Sequence, residues 1–191
     1  MTYTVITQPT TYPLTLAETK EFLRVDHNVE DSVVLSLIAA EVARVEAETG
    51  RAIMSQTVEQ YFDCWPNSRV IELDITPASS ITSVKYLDAS GSETTFNSTN
   101  YTADLLSIKP RVVLNTSSAW PSHGSFPNAI RVRYVAGYAD AASVPEALKL
   151  GMKHRIAFYY EKREDMQINE LNNPRLRSAD AVIGLYRTNL V

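Results

Sequence analysis

EDSVVLSLIAAEVARVEAETGR, residues 30–51, decides how this chain folds. At about 100° of turn per residue, Val34, Leu35, Ile38, Val42 and Val45 fall on one side of a helix and form a core stripe. The opposite side carries Ser36, Ala39, Ala40, Ala43 and Ala47. A solvent face is usually richer in Lys, Glu and Gln than this. The clearest charged stripe, Glu41, Arg44 and Glu48, lies at one edge of the core face. The helix is expected over about 29–49, closed by Gly50. Its alanine side needs an explanation: either it packs within its own chain, or it meets a neighbour.

Working outward, residues 1–13 are polar, contain Pro9 and Pro13, and read as an extended arm. Thr15 and Glu18 have the spacing of a capping box and open a short helix, about 15–24. After Gly50 the hydrophobic period changes. QTVEQYFDCW, RVIELD, ITSVKYLD, SETTF, RVVLN and AIRVRYVAG are short, β-branched and aromatic, with turn residues between them. About six or seven strands fit between residues 53 and 137. KYLDASGSETTF has the signature of a hairpin. In IRVRYV, Ile130, Val132 and Tyr134 alternate with Arg131, Arg133 and Val135.

Helix returns at about 143–163. Ser143 and Glu146 have capping-box spacing around Pro145, and Leu148, Met152, Ile156 and Tyr159 make one stripe. The chain is then polar through MQINELNNPRLR, and Ser178 is placed to cap a last short helix, ADAVIGLY. The expected class is α+β: a small helical bundle with an inserted β unit. Residues 1–51 and 138–191 would make the helical domain, with an N-terminal arm and a C-terminal tail. Residues 52–137 would make the β domain.

Composition narrows the function. The 45% hydrophobic and 21% charged fractions are those of an ordinary globular protein. No apolar run approaches the roughly 18 residues of a membrane span, and the first residues do not read as a secretory signal. Net charge is −4, unevenly spread. Residues 1–65 hold ten acids and four bases, whereas residues 131–191 hold ten bases and seven acids. Acidic and basic surfaces of neighbouring copies could therefore meet. The balance argues against a protein whose main task is gripping nucleic acid, which calls for clustered Lys and Arg.

Little chemistry is on offer. His27, His123 and His154 are far apart in the chain. His27 sits near Asp26, Glu30 and Asp31, but the spacing matches no metal loop, and acids at a helix start favour its dipole. Neither a phosphate loop, a G-x-S-x-G elbow, H-E-x-x-H nor C-x-x-C occurs. Cys64 reads as a small buried residue beside Trp65, and the aromatics of FYYEKRED and CWPN as core or interface. The expectation is no catalytic residue, no cofactor and no metal.

The layout resembles the head–tail connector (adaptor) proteins of tailed bacteriophages and related prophages, in the subgroup carrying a β insertion. The matching segments run in the family's order: LTLAETKEFLRVD; EDSVVLSLIAAEVARVEAETGRAI with SQT; ITSVKYLDASGSETTF; IRVRYVAGYADAASVPEALKLGMKHRIAFYYEKRE; and GLYR. They span nearly the whole chain, while MQINELNNPRLRSADAV departs from the pattern. The resemblance implies a structural role in the virion, at the capsid–tail junction, after synthesis in a bacterial host cytoplasm. Its partners would be about twelve copies of itself in a head-to-tail ring, a portal protein, and a tail or stopper protein. Double-stranded DNA would pass through the channel without specific binding, and no membrane is involved. Ser36, Ala39, Ala40, Ala43 and Ala47 would then suit a subunit interface, and Val182, Ile183, Leu185, Tyr186 and Arg187 a portal-docking tail. Two other readings stay open: another virion interaction module, such as a tail-completion or baseplate protein, and a small enzyme whose site is assembled from distant residues.

Overall fold

In the computed structural model, residues 2–162 and 174–188 are described. The elements run β1 (Thr2–Thr7), α1 (Leu16–Leu23), α2 (Asp31–Thr49), β2 (Gln56–Phe62), β3 (Val70–Glu72), β4 (Ala78–Leu87), β5 (Glu93–Phe96), β6 (Tyr101–Asp104), β7 (Arg111–Leu114), β8 (Ile130–Ala136), α3 (Glu146–Glu161) and α4 (Pro174–Gly184). The fold is α+β, with two antiparallel sheets in the orders β1-β2-β8-β4-β5 and β3-β7-β6. The chain divides into two compact units. One comprises residues 1–9 and 55–137, the other residues 10–54 and 138–191.

The β unit is built on alternation. Ile130, Val132 and Tyr134 of β8 are fully buried, while Arg131 and Arg133 point to the other face. There Arg133 pairs with Glu59 of β2 and Arg131 with Glu93 of β5, both at 3.0 Å. Buried Gln60 fastens the segment after β3 to this sheet. It donates to Asp74 Oδ2 at 2.9 Å and accepts from the Asp74 N–H at 3.0 Å. The Tyr134 hydroxyl donates to Gln60 at 3.3 Å and accepts from the Ile75 N–H at 3.2 Å. Between β4 and β5, Gly91 takes φ 82°, as the tight hairpin requires. Seven strands lie between residues 53 and 137; Tyr101–Asp104 is one that strand patterning overlooked.

Residues 2–7 correct one expectation. They are not a free arm attached to the helices but the edge strand of the larger sheet, with Thr4 opposite Glu59 and Val5 opposite Val58. The alternating, β-branched TYTVIT favours this pairing.

The helical unit packs Val34, Ile38, Val42 and Val45 of α2 with Leu148, Met152 and Ile156 of α3, joined by Leu14, Ile53, Met54 and Ile183. Thr15 and Glu18 make the expected reciprocal capping box on α1. Gly50 ends α2 at φ 68°. Two other caps differ from expectation. Ser143 does not cap α3, because its N–H and hydroxyl are both held by Asp140 Oδ1 at 2.7 Å, and Pro145 takes the cap position. Ser178 lies inside α4, whose start is set four residues earlier at Pro174, and it bonds back to the Pro174 carbonyl at 3.0 Å.

Candidate assembly surfaces

The two sides of α2 have opposite fates. Val34, Ile38 and Val45 are completely buried. Ser36, Ala40, Ala43 and Ala47 are exposed, and Ala39 is half-buried. The alanine side is thus an open surface rather than packing for the chain's own helices. Leu35, expected in the core stripe, lies at its margin and is 42% exposed.

Beside the core stripe, the charged stripe Glu41, Arg44 and Glu48, expected at the edge, joins an ion cluster with Arg155 and Asp180 that the residue order did not signal. On a helical wheel, Glu41 lies within about 40° of both Val34 and Val45, which places it on the core face, where a charge needs a partner. It is buried, and so is Arg155 of α3, which is only 1% exposed. The Arg155 guanidinium donates to Glu41 Oε1 at 3.2 Å, to Glu48 Oε2 at 2.8 Å and to Asp180 Oδ1 of α4 at 2.7 Å. One cation therefore ties three helices together. Arg44 adds a 2.7 Å bond to Glu48 and a hydrogen bond to Tyr159.

Burial pushes the Glu41 carboxyl up to about 7, against the attraction of Arg155. Glu48 also feels burial, but hydrogen bonds from Arg155 and Arg44 outweigh it and hold its carboxyl below the ordinary range. The arrangement can fix helix positions. It offers no nucleophile–base pair and no open coordination position.

The C-terminal cluster is split. Ile183 is completely buried, and Tyr186 packs against the same helical core. Leu185 is 77% exposed, Arg187 is exposed, and Val182 is half-buried. Thr188 is anchored: its N–H and hydroxyl both donate to the Thr49 carbonyl at 3.0 Å. Arg51 Nε donates to the Tyr186 carbonyl at 2.6 Å. These five residues therefore do not form one free docking face. The MQINELNN part of the expected polar tail lies outside the described residues.

The candidate chemical groups stay apart. His27 lies 4.0 Å from Glu30, while Asp31 is taken by Lys20 at 2.7 Å. His123 Nδ1 contacts the Gly124 carbonyl, and His154 meets the edge of the Phe22 ring. Among the described residues, no three His, Cys, Asp or Glu side chains converge on a metal position. Cys64 is exposed, not buried. The chain leaves β2 at Phe62, and Trp65 turns inward instead, stacking on Trp120 at 4.7 Å.

No family model matches this chain, and no curated protein matches it. Solved structures do. A chain in the virion of a native gene transfer agent (GTA) particle aligns with a TM-score of 0.82 and 24% identity. The alignment covers 100% of this chain and 97% of that one. This chain is similar, end to end, to chains of GTA particle structures. A chain in the neck of the empty GTA particle, computed with C6 symmetry, aligns with a TM-score of 0.80 and 25% identity. One in the neck of the native particle, computed with C12 symmetry, aligns with a TM-score of 0.80 and 23% identity. Coverage is 100% and 97% in both. The likeness takes in the β unit as well as the helices.

Proposed function

We propose that this chain is a structural head–tail connector (adaptor) protein in the neck of a phage-like particle. In this reading it has no catalytic activity. The carrying observation is the likeness over the full chain to chains from GTA particle necks computed with C6 and C12 symmetry. A ring of about twelve copies is the assembly that these symmetries support, and a closed ring needs two different faces on each subunit.

The open side of α2 supplies one such face. Ser36, Ala39, Ala40, Ala43 and Ala47 have short side chains, so a neighbouring backbone can approach closely. Little side-chain entropy is lost on contact. The ring would sit between a portal protein and a tail or stopper protein. The mild negative charge of the chain, −4, suits a channel along which DNA slides without being held. Of the tail cluster, Leu185 and Arg187 are outward and available to a portal. Ile183 is committed to the core.

Substituting Ala40→Arg and Ala43→Arg tests the reading. Both positions are exposed, so the monomer's stability should change by no more than about 0.5 kcal/mol. Incorporation into particles, measured by mass analysis of purified necks, should fall at least tenfold. Normal incorporation of the double variant would remove the alanine face from the ring contact. Absence of the unmodified chain from particles would remove the connector role itself.

A further inference from the structure

The cluster around Arg155 is out of balance in charge. Three carboxylates, Glu41, Glu48 and Asp180, share it with two guanidiniums, Arg155 and Arg44. One negative charge is in excess, at a place where Glu41 and Arg155 are both buried. An uncompensated charge is costly there. Among the described residues, the charged and titratable groups that meet at the cluster are Glu41, Arg44 and Glu48 from α2, Arg155 and Tyr159 from α3, and Asp180 from α4. From α1, Glu18 is engaged by Lys153, and Lys20 by Asp31.

The excess can be relieved in two ways. A proton can settle on one carboxylate, or one carboxylate can leave for water. Glu41 is the member to take the proton. It is only 3% exposed, and its 3.2 Å contact with Arg155 is the longest of the three. Burial already pushes its carboxyl up to about 7. Asp180 is the member able to leave. Its side chain is 48% exposed against 23% for Glu48, and Glu48 is also held by Arg44. Asp180 moreover belongs to a short helix near the chain end, whereas Glu41 and Glu48 share the long helix at the core.

We propose that α4 is a proton-controlled latch. With Glu41 protonated, Arg155 holds Asp180 and α4 stays docked. With Glu41 ionised and its proton passed to solvent, Glu41 competes for the guanidinium, Asp180 is released, and α4 opens more often. Opening uncovers Leu176, Ala179 and Ile183 and frees the end that bears Leu185 and Arg187. The apolar contacts of α4 and the Thr188 bonds to Thr49 carry no titrating group. They set how rare opening is, but not its pH dependence. The docked state binds the proton more tightly than the opened one. Opening is therefore rarest below the ordinary carboxylate value of 4.5, rises by at most about tenfold per pH unit because one proton is involved, and levels off above about 7. The latch is a property of the single chain and stands or falls independently of the connector reading.

Amide hydrogen exchange of the full chain at about pH 5.5 and about pH 7.5, corrected for the intrinsic exchange rate at each, reads opening helix by helix. The α4 amides should exchange faster than those in the core of α2 at both values, and their opening should rise about tenfold between them. In Glu41→Gln that rise should vanish, with α4 held at its low-pH level. In Asp180→Asn, α4 should already open readily at the lower pH and change little at the higher. Asp180 is the exposed member, so this second variant keeps the test decisive if Glu41→Gln fails to fold. No rise in the unmodified chain, a rise that survives in Glu41→Gln, an unaltered profile in Asp180→Asn, or α4 exchanging no faster than the core of α2 would each overturn the latch.

Discussion

Arg155 is the residue on which the helical unit turns. It is a buried cation shared by Glu41, Glu48 and Asp180, from two other helices. Replacing it with Met keeps the length but strands Glu41 in the core. Removing one partner of a buried pair typically costs about 3–5 kcal/mol, and urea denaturation of Arg155→Met should show a loss of that order. Glu41→Gln should behave differently, since Glu48 and Asp180 still neutralise the guanidinium. The Glu41 carboxyl is raised to about 7 from an ordinary value of 4.5, so the folded state holds its proton more tightly than the unfolded chain does. That contribution is complete below about 4.5 and is lost as the pH climbs through about 7. Glu48, held low, contributes in the opposite sense: its share is present above its unfolded value and fades as the pH falls. Glu41→Gln should therefore gain on the unmodified protein as the pH rises from about 5 to about 8, by a few kcal/mol at most. A stability difference that does not change with pH would contradict the assignment.

Among the elements, α4 shows how far local patterning carries. An apolar cluster near a chain end can be an anchor for a partner or part of the core, and the pattern is the same. Here Leu176, Ala179 and Ile183 turn inward. A Cβ on Gly151 of α3 would stand 3.0 Å from Ile183 Cγ1, so the two helices approach as closely as a glycine allows. Deleting residues 178–191 should then be a folding lesion. Each buried aliphatic side chain is worth about 1.5–3 kcal/mol, and the Thr188 anchor on Thr49 would go as well. Thermal unfolding of the truncated chain should shift down by many degrees and broaden. An unchanged, cooperative melt would return the whole segment to a docking role. The α2 helix is the contrasting case: its length, its core stripe and its Gly50 stop are all explicit in the residue order, and only Leu35 and Glu41 change sides.

Across the whole molecule, both units are assembled from segments far apart in the chain. The helix–strand–helix order made two regions expected. It could not reveal that the first residues cross over to the sheet, because pairing between residues 2–7 and 56–62 is a long-range event with no local signature. Among the described residues, no metal-ligating side chains converge, which is likewise a matter of tertiary placement. Changing His27, His123 and His154 together to Gln should leave particle assembly and yield unchanged, apart from a small loss where His154 meets Phe22. A folded triple variant that fails to assemble, judged by circular dichroism and particle counts, would give the histidines a role that their positions do not suggest.

Residue order alone determined the helices, most strands, the β4–β5 hairpin, the Thr15–Glu18 cap and the mixed α+β class. Each of these is set by contacts within a few residues, where periodicity and turn chemistry act directly. Tertiary structure decided whatever depends on which surfaces are left over after packing. It put Glu41 inside because a cation from α3 was there to meet it. It turned Cys64 outward because Trp65 took the inward place, stacked on Trp120. It also sent Ile183 into the core and left the alanines of α2, Leu106 and Ile108 uncovered. Burial is a property of pairs of surfaces, and the partner surface is distant in the chain.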